Sequence, residues 1–426
     1  GPVVGPTNSY GEFVLLSRES AKPGSGYVPD RSQVLVYRDE AGVVDYNPER
    51  IMVDDGTLDE PVQLFPGDII TNLVGVMDYS FSNYKIQPAS MDIQKTGRNR
   101  QSRPVITRNP TALRIATFNV ENLFDLEDNP DKDDGSSTPD AEELETKLTK
   151  LTLAIVQELH TPTIVVVQEV ENQTILAELA DRINALAGSD FGATSFETSD
   201  GRGIEVGFLY DQRTVQLTEA YQLSGADVDA AFGPSSASPG REPIVGVFSF
   251  DGREVTIVGN HFKSKGGDDA LYGVDWPPVR STEEQRKLQA HVVRDFVNGI
   301  LEADPGAMVV VTGDLNDFQF GEPGEGPDHP LAILEGSPAD MPLTNLINEI
   351  RFQDRFTYIF DGNSQVLDHM LVSRSLLERR PRVEIAHFNA AVPVWLEGDD
   401  STAMRASDHD PVVMSVKFRG RHRSEE

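Results

Sequence analysis

Several apolar runs of this chain end on side chains that can bind a metal or move a proton. T-F-N-V-E-N supplies Asn119 and Glu121, V-V-Q-E-V supplies Glu169, G-N-H-F-K-S-K supplies His261, V-T-G-D-L-N-D supplies Asp314 and Asn316, and S-D-H-D-P supplies Asp408 and His409. Residues just beyond strand ends converge on one rim of a sheet, where sheet proteins often place ligands. Glu169 follows four apolar positions, where an unpartnered carboxylate is costly, so a cation or a donor is expected beside it. Glu205, inside I-E-V-G-F-L-Y, and Asp368, inside Q-V-L-D-H-M-L-V, are carboxylates in the same kind of setting. With two strand-end histidines they suggest two carboxylate–histidine pairs, each fixing a tautomer and raising imidazole basicity. Read singly, each residue has a plainer alternative. Asn119 and Asn316 could close turns, His261 could be a satisfied core histidine, and Asp408-His409 could be a polar turn entering the last strand.

The oxygens of Glu169, Asp408, Asn119 and Asp314 are hard ligands and favour Mg²⁺, Mn²⁺ or Ca²⁺ over zinc. Carboxylates, hard cations and histidines together are the usual means of phosphate-ester hydrolysis, in which metal neutralises oxygen charge and positions water. The expected reaction class is metal-assisted cleavage of a phosphoryl ester.

The elements that must position these groups fall into two textures. From Gly11 to about Asp92 the chain reads as short strands, among them E-F-V-L-L, Q-V-L-V-Y, R-I-M-V-D and D-I-I-T-N-L-V-G-V-M-D-Y, separated by Gly, Pro and Asp-Gly turns. That spacing predicts a small all-β barrel or sandwich. From Leu113 onward, strands alternate with helices. L-R-I-A-T-F-N-V predicts a strand, and Leu144, Leu148, Leu151 and Ile155 predict a helix with one buried face, entered at Thr138-Pro139. Between the two textures, residues 93–111 carry Lys95, Arg98, Arg100, Arg103 and Arg108 with no acid among them, which reads as a basic interdomain linker.

The chain has 426 residues, and 38% hydrophobic with 25% charged content is ordinary for globular protein. No run of about 18 apolar residues is present, so no membrane span is expected. The formal charge is −32, and of the 37 basic residues only 10 are Lys. Such a balance suits a salty or extracellular medium and disfavours non-specific binding to nucleic acid, so a phosphate-bearing substrate must be held by metal or by local basic charge. Cysteine is absent, which excludes disulfides, thiolate catalysis and Cys-ligated zinc. The first residues, Gly1-Pro2 onward, show no signal-peptide pattern.

Taken in order, T-F-N-V-E-N, V-V-Q-E-V, G-N-H, G-D-L-N, L-D-H and S-D-H-D-P resemble the endonuclease/exonuclease/phosphatase superfamily, the fold of pancreatic deoxyribonuclease, over about residues 112–418. Residues 1–105 look similar to the OB-like domain that precedes the catalytic domain in bacterial extracellular nucleases. The resemblance implies an α/β (α+β) four-layered sandwich of two mixed β-sheets flanked by helices, spanning 112–420, after an all-β OB-like domain at 1–105 and a linker at 106–111, with a tail at 421–426. It makes Glu169 the principal metal ligand, with Asn119 and Asp408 nearby and Glu121 a weaker candidate. Asp314 and Asn316 would hold water and a phosphate oxygen, Glu205 would orient His261, and Asp368 would orient His409. Arg202, Lys263 and Lys265 would face phosphates.

The expected protein is then a secreted or periplasmic, monomeric nuclease that uses Mg²⁺, with Mn²⁺ or Ca²⁺ as alternatives, and hydrolyses DNA or RNA to 5′-phosphate products. In that scheme His409 and Asp314 polarise the attacking water and His261 protonates the leaving oxygen. One departure stands out. Where the deoxyribonuclease carries a basic residue shortly after its metal-binding Glu, this chain has Glu171-Asn172, which weakens the same grip on duplex and leaves single strands open. The acidic loop 125–134 does not fit the EF-hand spacing and reads as solvated loop, and Asp410 reads as a turn residue. The alternatives are a phosphatase or a sphingomyelinase-like lipid phosphodiesterase, for which no membrane-inserting hairpin is evident in the sequence, and a binding module on a decayed catalytic fold.

Overall fold

The computed structural model describes residues 1–17, 27–28, 33–34, 49–81, 83–97, 111–133, 135, 137–236, 239–269, 278–321, 328–337 and 341–418. Most of Q-V-L-V-Y, the arginines of the basic stretch, nearly all of the expected linker and the tail lie outside the described residues.

The N-terminal region is all-β. Its five-stranded sheet is built from β1 (Val3–Gly5), β2 (Glu12–Leu16), β3 (Arg50–Asp54), β4 (Ile69–Ser80) and β5 (Asn83–Gln94), hydrogen-bonded in the order β1-β2-β3-β5-β4, beside a short pair of Tyr27–Val28 with Gln33–Val34. The β3–β5 pair is parallel and the rest are antiparallel. An antiparallel bridge between Pro2 and Ile69 joins the first strand to β4 and brings the two ends of the sheet together. Val3, Phe13, Leu15, Val53, Val62, Leu64 and Ile70 fill the interior.

The second region is a four-layered sandwich, as expected. Its strands and longer helices in chain order are β6 (Ala112–Leu123), α1 (Ala141–Leu153), β7 (Ile164–Val170), α2 (Gln173–Ala187), β8 (Phe191–Ser195), β9 (Glu205–Asp211), β10 (Gln216–Gln222), β11 (Arg241–Phe250), β12 (Arg253–His261), α3 (Glu283–Ala303), β13 (Val309–Asp314), β14 (Thr344–Asn345), β15 (Tyr358–Phe360), β16 (Asn363–Gln365), β17 (Asp368–Val372), β18 (Arg382–Ile385) and β19 (Val412–Lys417). One six-stranded mixed sheet runs β8-β9-β7-β6-β19-β18, the other β10-β11-β12-β13-β17-β14. Strand alternation builds the layers, because successive side chains point to opposite faces. Along β6, Leu113 and Ile115 pack between the sheets, while Ala116, Phe118 and Val120 pack under α1 and α2. On the other side Val309 and Val311 face Ala290, Val293 and Val297 of α3, and Val310 faces inward.

Helix α1 begins at Ala141 rather than at Pro139. The Asp140 carboxylate accepts from the backbone N–H groups of Glu142 and Glu143, and the Glu143 side chain returns the bond to Asp140, so the reciprocal cap outcompetes Thr138. The two regions meet where the β15–β16 turn lies against β1 and β2. Gly362 adopts φ 80° there, and a Cβ at that position would stand 2.5 Å from Val14 Cγ1. Glycine is the residue that permits both the backbone angle and the approach.

Candidate active site

The second sheet carries three of the predicted groups in one row. His261 is paired with Asp314 across the parallel β12–β13 ladder, and Asp314 with Asp368 across the antiparallel β13–β17 ladder. Each shares the parity of residues that face the first sheet, Ile257, Val310 and Met370, so all three point inward at the same end of the sandwich. Neighbouring strands set such a row about 4.8 Å apart per step. His261 Nε2 stands 3.5 Å from Asp314 Oδ2 and 3.7 Å from Glu169 Oε1.

The first sheet supplies the opposite wall. Asn119 follows Leu113, Ile115 and Thr117 on the inward face of β6, and its Nδ2 donates to Glu169 Oε1 (3.2 Å) and Asp314 Oδ2 (3.1 Å). Its Oδ1 accepts from the Glu121 N–H at 3.0 Å. The Asn119 amide therefore stands between two carboxylates, and its oxygen, the metal ligand expected of it, also accepts one backbone N–H. Glu169 has the parity of Val165 and Val167, which face the helices. A φ of 65° at Glu169 turns the chain out of the strand, and its Oε2 then accepts from the Asn122 N–H at 3.1 Å. Asn316 is also left-handed, with φ 51°, its N–H donating to Asp314 Oδ1 at 2.9 Å and its Nδ2 to the Phe262 carbonyl at 3.2 Å. Left-handed non-glycine residues of this kind cost stability and concentrate at functional sites.

The loop that carries Asp408 and His409 is fastened at both ends. Ser407 Oγ donates to the Asn119 carbonyl at 2.7 Å, and Asp410 Oδ1 accepts from the N–H groups of Phe388, Asn389 and Ala390. Asp410 Oδ2 also pairs with His387 Nδ1 at 2.9 Å, so this residue is a staple for two loops and more than the turn residue the sequence suggests. His409 Nδ1 meets Asp368 Oδ2 at 2.7 Å, as expected, and the Tyr358 ring lies 4.8 Å from its own.

The two imidazoles sit in opposite electrical settings. Burial lowers the affinity of His409 for a proton, but the carboxylates of Asp368, Asp408 and Asp314 outweigh it and hold its pKa well above the usual value. Burial, then the guanidinium groups of Arg241 and Arg202, hold His261 well below it. Asp314 is pushed up to about 7 by burial, with Asp368 and Glu169 adding repulsion against the pull of His409.

These walls enclose a cleft of about 830 Å³ whose lining includes Glu169, His261, Asp314, Asn316, Asp408 and His409, together with Arg202, Lys263 and Lys265. Arg202 is half-exposed, 3.5 Å from Asn122 Oδ1. Lys265 reaches the cleft, but its ammonium is 3.3 Å from Asp317 Oδ1 and 4.3 Å from the Phe318 ring centroid, so a phosphate would share it with that carboxylate.

Two expected placements are corrected. Glu205 does not orient His261: its Oε2 is buried without a partner among the described residues, as is His261 Nδ1, and burial pushes the Glu205 carboxyl up to about 7. Alternation along β9 puts Glu205 on the face of Leu209, toward the helices, and not with the inward-facing Val206 and Phe208. Glu121 lies outside the cleft, within ion-pair reach of Lys147 (3.9 Å) and Arg405 (3.8 Å) beside a neighbouring cavity. The sequence reading also missed two buried guanidinium pairs. Arg241 binds Asp200 at 2.9 Å and supports the cleft wall beside His261. Arg286 binds Asp317 at 2.8 Å and fixes the loop below Lys265. A basic residue in an apolar strand, as in R-E-P-I-V-G-V-F, is the one signal that could have found the first.

A sandwich whose sheets join carboxylates and two imidazoles at one end has the architecture of a metal-dependent phosphoester hydrolase. The chain belongs to the Endonuclease/Exonuclease/phosphatase family, whose model matches residues 114–393. Members of this superfamily are divalent-metal-dependent phosphodiesterases and nucleases, usually with Mg²⁺. Residues 1–97 match a family described as a domain of unknown function. Similar solved structures include truncated Caenorhabditis elegans TDP2 (TM-score 0.46, 16% identity, 72% of this chain and 98% of that one). D. rerio TDP2 complexed with single strand DNA product aligns with TM-score 0.46 and 16% identity over 72% of this chain and 100% of that one. The human Nocturnin catalytic domain with bound sulfate anion aligns with TM-score 0.44 and 14% identity over 74% and 96%. No curated protein matches the chain.

Proposed function

We propose that the protein is an exported, monomeric nuclease that hydrolyses DNA, and RNA as a second substrate, to products with 5′-phosphate ends. The observation that carries this reading is the row His261–Asp314–Asp368 facing Glu169 and His409 across one cleft. The charge of −32, with only 10 Lys among 37 basic residues, supports the exported location. The order β1-β2-β3-β5-β4, closed by the Pro2–Ile69 bridge, supports the OB-like reading of the N-terminal region.

Glu169, Asp408 and Asp314 would hold Mg²⁺, and the same oxygens accept Mn²⁺ or Ca²⁺. The fit rests on Asp314, whose carboxyl is pushed up by burial and by two further carboxylates, a shortage of positive charge that a divalent cation corrects. Bound there, the metal supplies neutralisation of phosphoryl oxygen charge and positioning of water. His409, with Nδ1 held by Asp368, would take the proton of the attacking water at Nε2 once a divalent cation offsets the carboxylates that otherwise keep its imidazole charged, and Asp368 would stabilise the imidazolium that forms. His261 is held neutral, so it donates a hydrogen bond from Nε2 to a phosphoryl or leaving oxygen instead of delivering a whole proton. Arg202 and Lys263 hold flanking phosphates.

Incubating the purified protein with plasmid, single-stranded DNA, RNA and bis(p-nitrophenyl) phosphate, in Mg²⁺ or in EDTA, tests this reading. Metal-dependent cleavage of nucleic acid is expected, and cleavage of none of the four would leave the binding-module alternative. A second reading, a lipid phosphodiesterase, is favoured by one observation. Contrary to the sequence expectation, the β4–β5 hairpin carries an exposed apolar set, Val74, Val76, Met77, Tyr79, Phe81 and Tyr84. Release of phosphocholine from sphingomyelin vesicles in the same assay would select it.

A further inference from the structure

The β4–β5 hairpin does more than expose apolar surface: its tip enters the rim of the catalytic cleft. Phe81 and Asn83 line that cleft from the N-terminal region, and Phe360, at the end of β15, lines it from the sandwich. Phe81 is 91% exposed and Phe360 44%. An exposed phenylalanine gains nothing for folding, and this one stands at φ 49°, a left-handed conformation that bulky residues rarely adopt and that Gly or Asn would relieve. The tip is nonetheless held in place. Tyr79 and Tyr84 pack behind it with ring centroids 4.7 Å apart, and the Lys85 ammonium lies 5.3 Å from the Phe81 ring while the Lys85 side chain is buried against Glu12. Arg50 then ties the hairpin to the sandwich, donating to Asn83 Oδ1 at 2.9 Å and standing 3.7 Å from Asp361, the residue after Phe360.

We infer that Phe81 and Phe360 form an aromatic shelf that stacks a nucleobase of a single-stranded polynucleotide beside the scissile phosphodiester. The inference rests on the nuclease reading above and deepens it. Aromatic faces next to cations are how proteins hold unstacked bases without regard to sequence, and Arg202 and Lys263 on the same cleft supply the phosphate contacts. Bases in a duplex keep their faces covered, so the shelf selects single strands or frayed ends. A bilayer is the poorer occupant: the tip is turned to the cleft, and Asp78 and Asp92 on the same hairpin oppose insertion.

The test compares wild type, Phe81→Ala and Phe81→Trp in Mg²⁺ on three substrates. These are a single-stranded oligodeoxynucleotide, the same oligonucleotide with one abasic residue walked along it, and a small deoxyribose phosphodiester that carries no base or other aromatic ring. Phe81→Ala should lose about tenfold in kcat/KM on the oligonucleotide, within the range of one lost base–aromatic stack. Phe81→Trp should retain it, and the small diester should be cleaved equally by all three. One abasic position should cost the wild type about as much as the alanine variant loses, and cost that variant little further. Equal cleavage of the oligonucleotide by wild type and Phe81→Ala would overturn the shelf and leave the nuclease reading standing. A wild type that cleaves the diester but no nucleic acid would overturn both. Loss of cosedimentation with phosphatidylcholine vesicles in Phe81→Ala, with oligonucleotide cleavage unchanged, would give the tip to a bilayer and overturn the shelf.

Discussion

In the sandwich, Phe118, Phe208, Phe248 and Phe262 are fully buried, and the groups that can do chemistry in the cleft are carboxylates and imidazoles, with Phe360 the exposed aromatic at its rim. In the N-terminal region the pattern reverses along the β4–β5 hairpin, where Val74, Val76, Met77, Tyr79, Phe81 and Tyr84 face outward and the buried charge is Lys85. The difference separates two tasks. Chemistry needs preorganised charge in a dry setting, where a fixed group is worth far more than in water. Recognition of a polymer needs exposed aromatic faces near that site, and these need not belong to the same domain. A small diester should therefore report on the sandwich alone, while a polynucleotide should report on both.

The largest expected effect breaks the sandwich side of the comparison. His409→Ala should lower kcat on bis(p-nitrophenyl) phosphate by about 10² or more, the usual scale for a positioned base, and Asp368→Asn should act in the same direction because it removes the partner at 2.7 Å. Unchanged kcat in His409→Ala would remove it from the proton-transfer role. Next comes the metal. In differential scanning calorimetry, Mg²⁺ at a hundred times its Kd should stabilise the sandwich transition by about 2.7 kcal/mol. Glu169→Gln should abolish that gain and leave any separate transition of the N-terminal region in place.

A third prediction concerns a charge buried in the sandwich that the chemistry does not use. Burial raises the Glu205 carboxyl from 4.5 to about 7, so the folded state binds more protons than the unfolded one between those values. Stability contributed at this position is greatest below pH 4.5 and falls as the pH rises toward about 7. Glu205→Gln keeps the shape and removes the charge. Its Tm should match the wild type near pH 4.5 and exceed it by a few degrees at pH 8, and a variant less stable than wild type at pH 8 would show an unseen partner for Glu205.

Much of the sandwich is legible in the sequence because strand ends carry their chemistry in short runs. G-N-H, G-D-L-N and L-D-H each hold both the strand and its terminal group, and parallel or antiparallel pairing then aligns His261, Asp314 and Asp368. The losses have physical causes. The direction of Glu169 depends on a left-handed φ that residue type does not reveal, and that of Glu205 on which parity of β9 faces the other sheet, which only the packing decides. The commitment of the Asn119 amide to Asp314 joins positions 195 residues apart. The apolar hairpin was missed for a different reason. V-G-V-M-D-Y reads only as part of a short strand, and the tertiary fold shows that β4 is the last strand in the sheet order, with most of its residues exposed.

The smallest expected effect tests whether the two regions work as one site. Arg50 contacts Asn83 at the base of the hairpin tip and stands 3.7 Å from Asp361 beside Phe360, so it spans the junction without touching the cleft floor. Arg50→Ala should loosen the tip relative to the sandwich, not remove an aromatic face, and the base-stacking contact would then have to be ordered on each binding event. That ordering cost is modest, about 0.5–1.5 kcal/mol for a side chain fixed at an interface, which corresponds to roughly a two- to tenfold rise in KM. Steady-state kinetics should place the change in KM for the oligonucleotide, with kcat and the small diester unaffected. A matching fall in kcat on the diester would mean that the junction supports the catalytic floor itself, and the division of labour between the two regions would have to be given up.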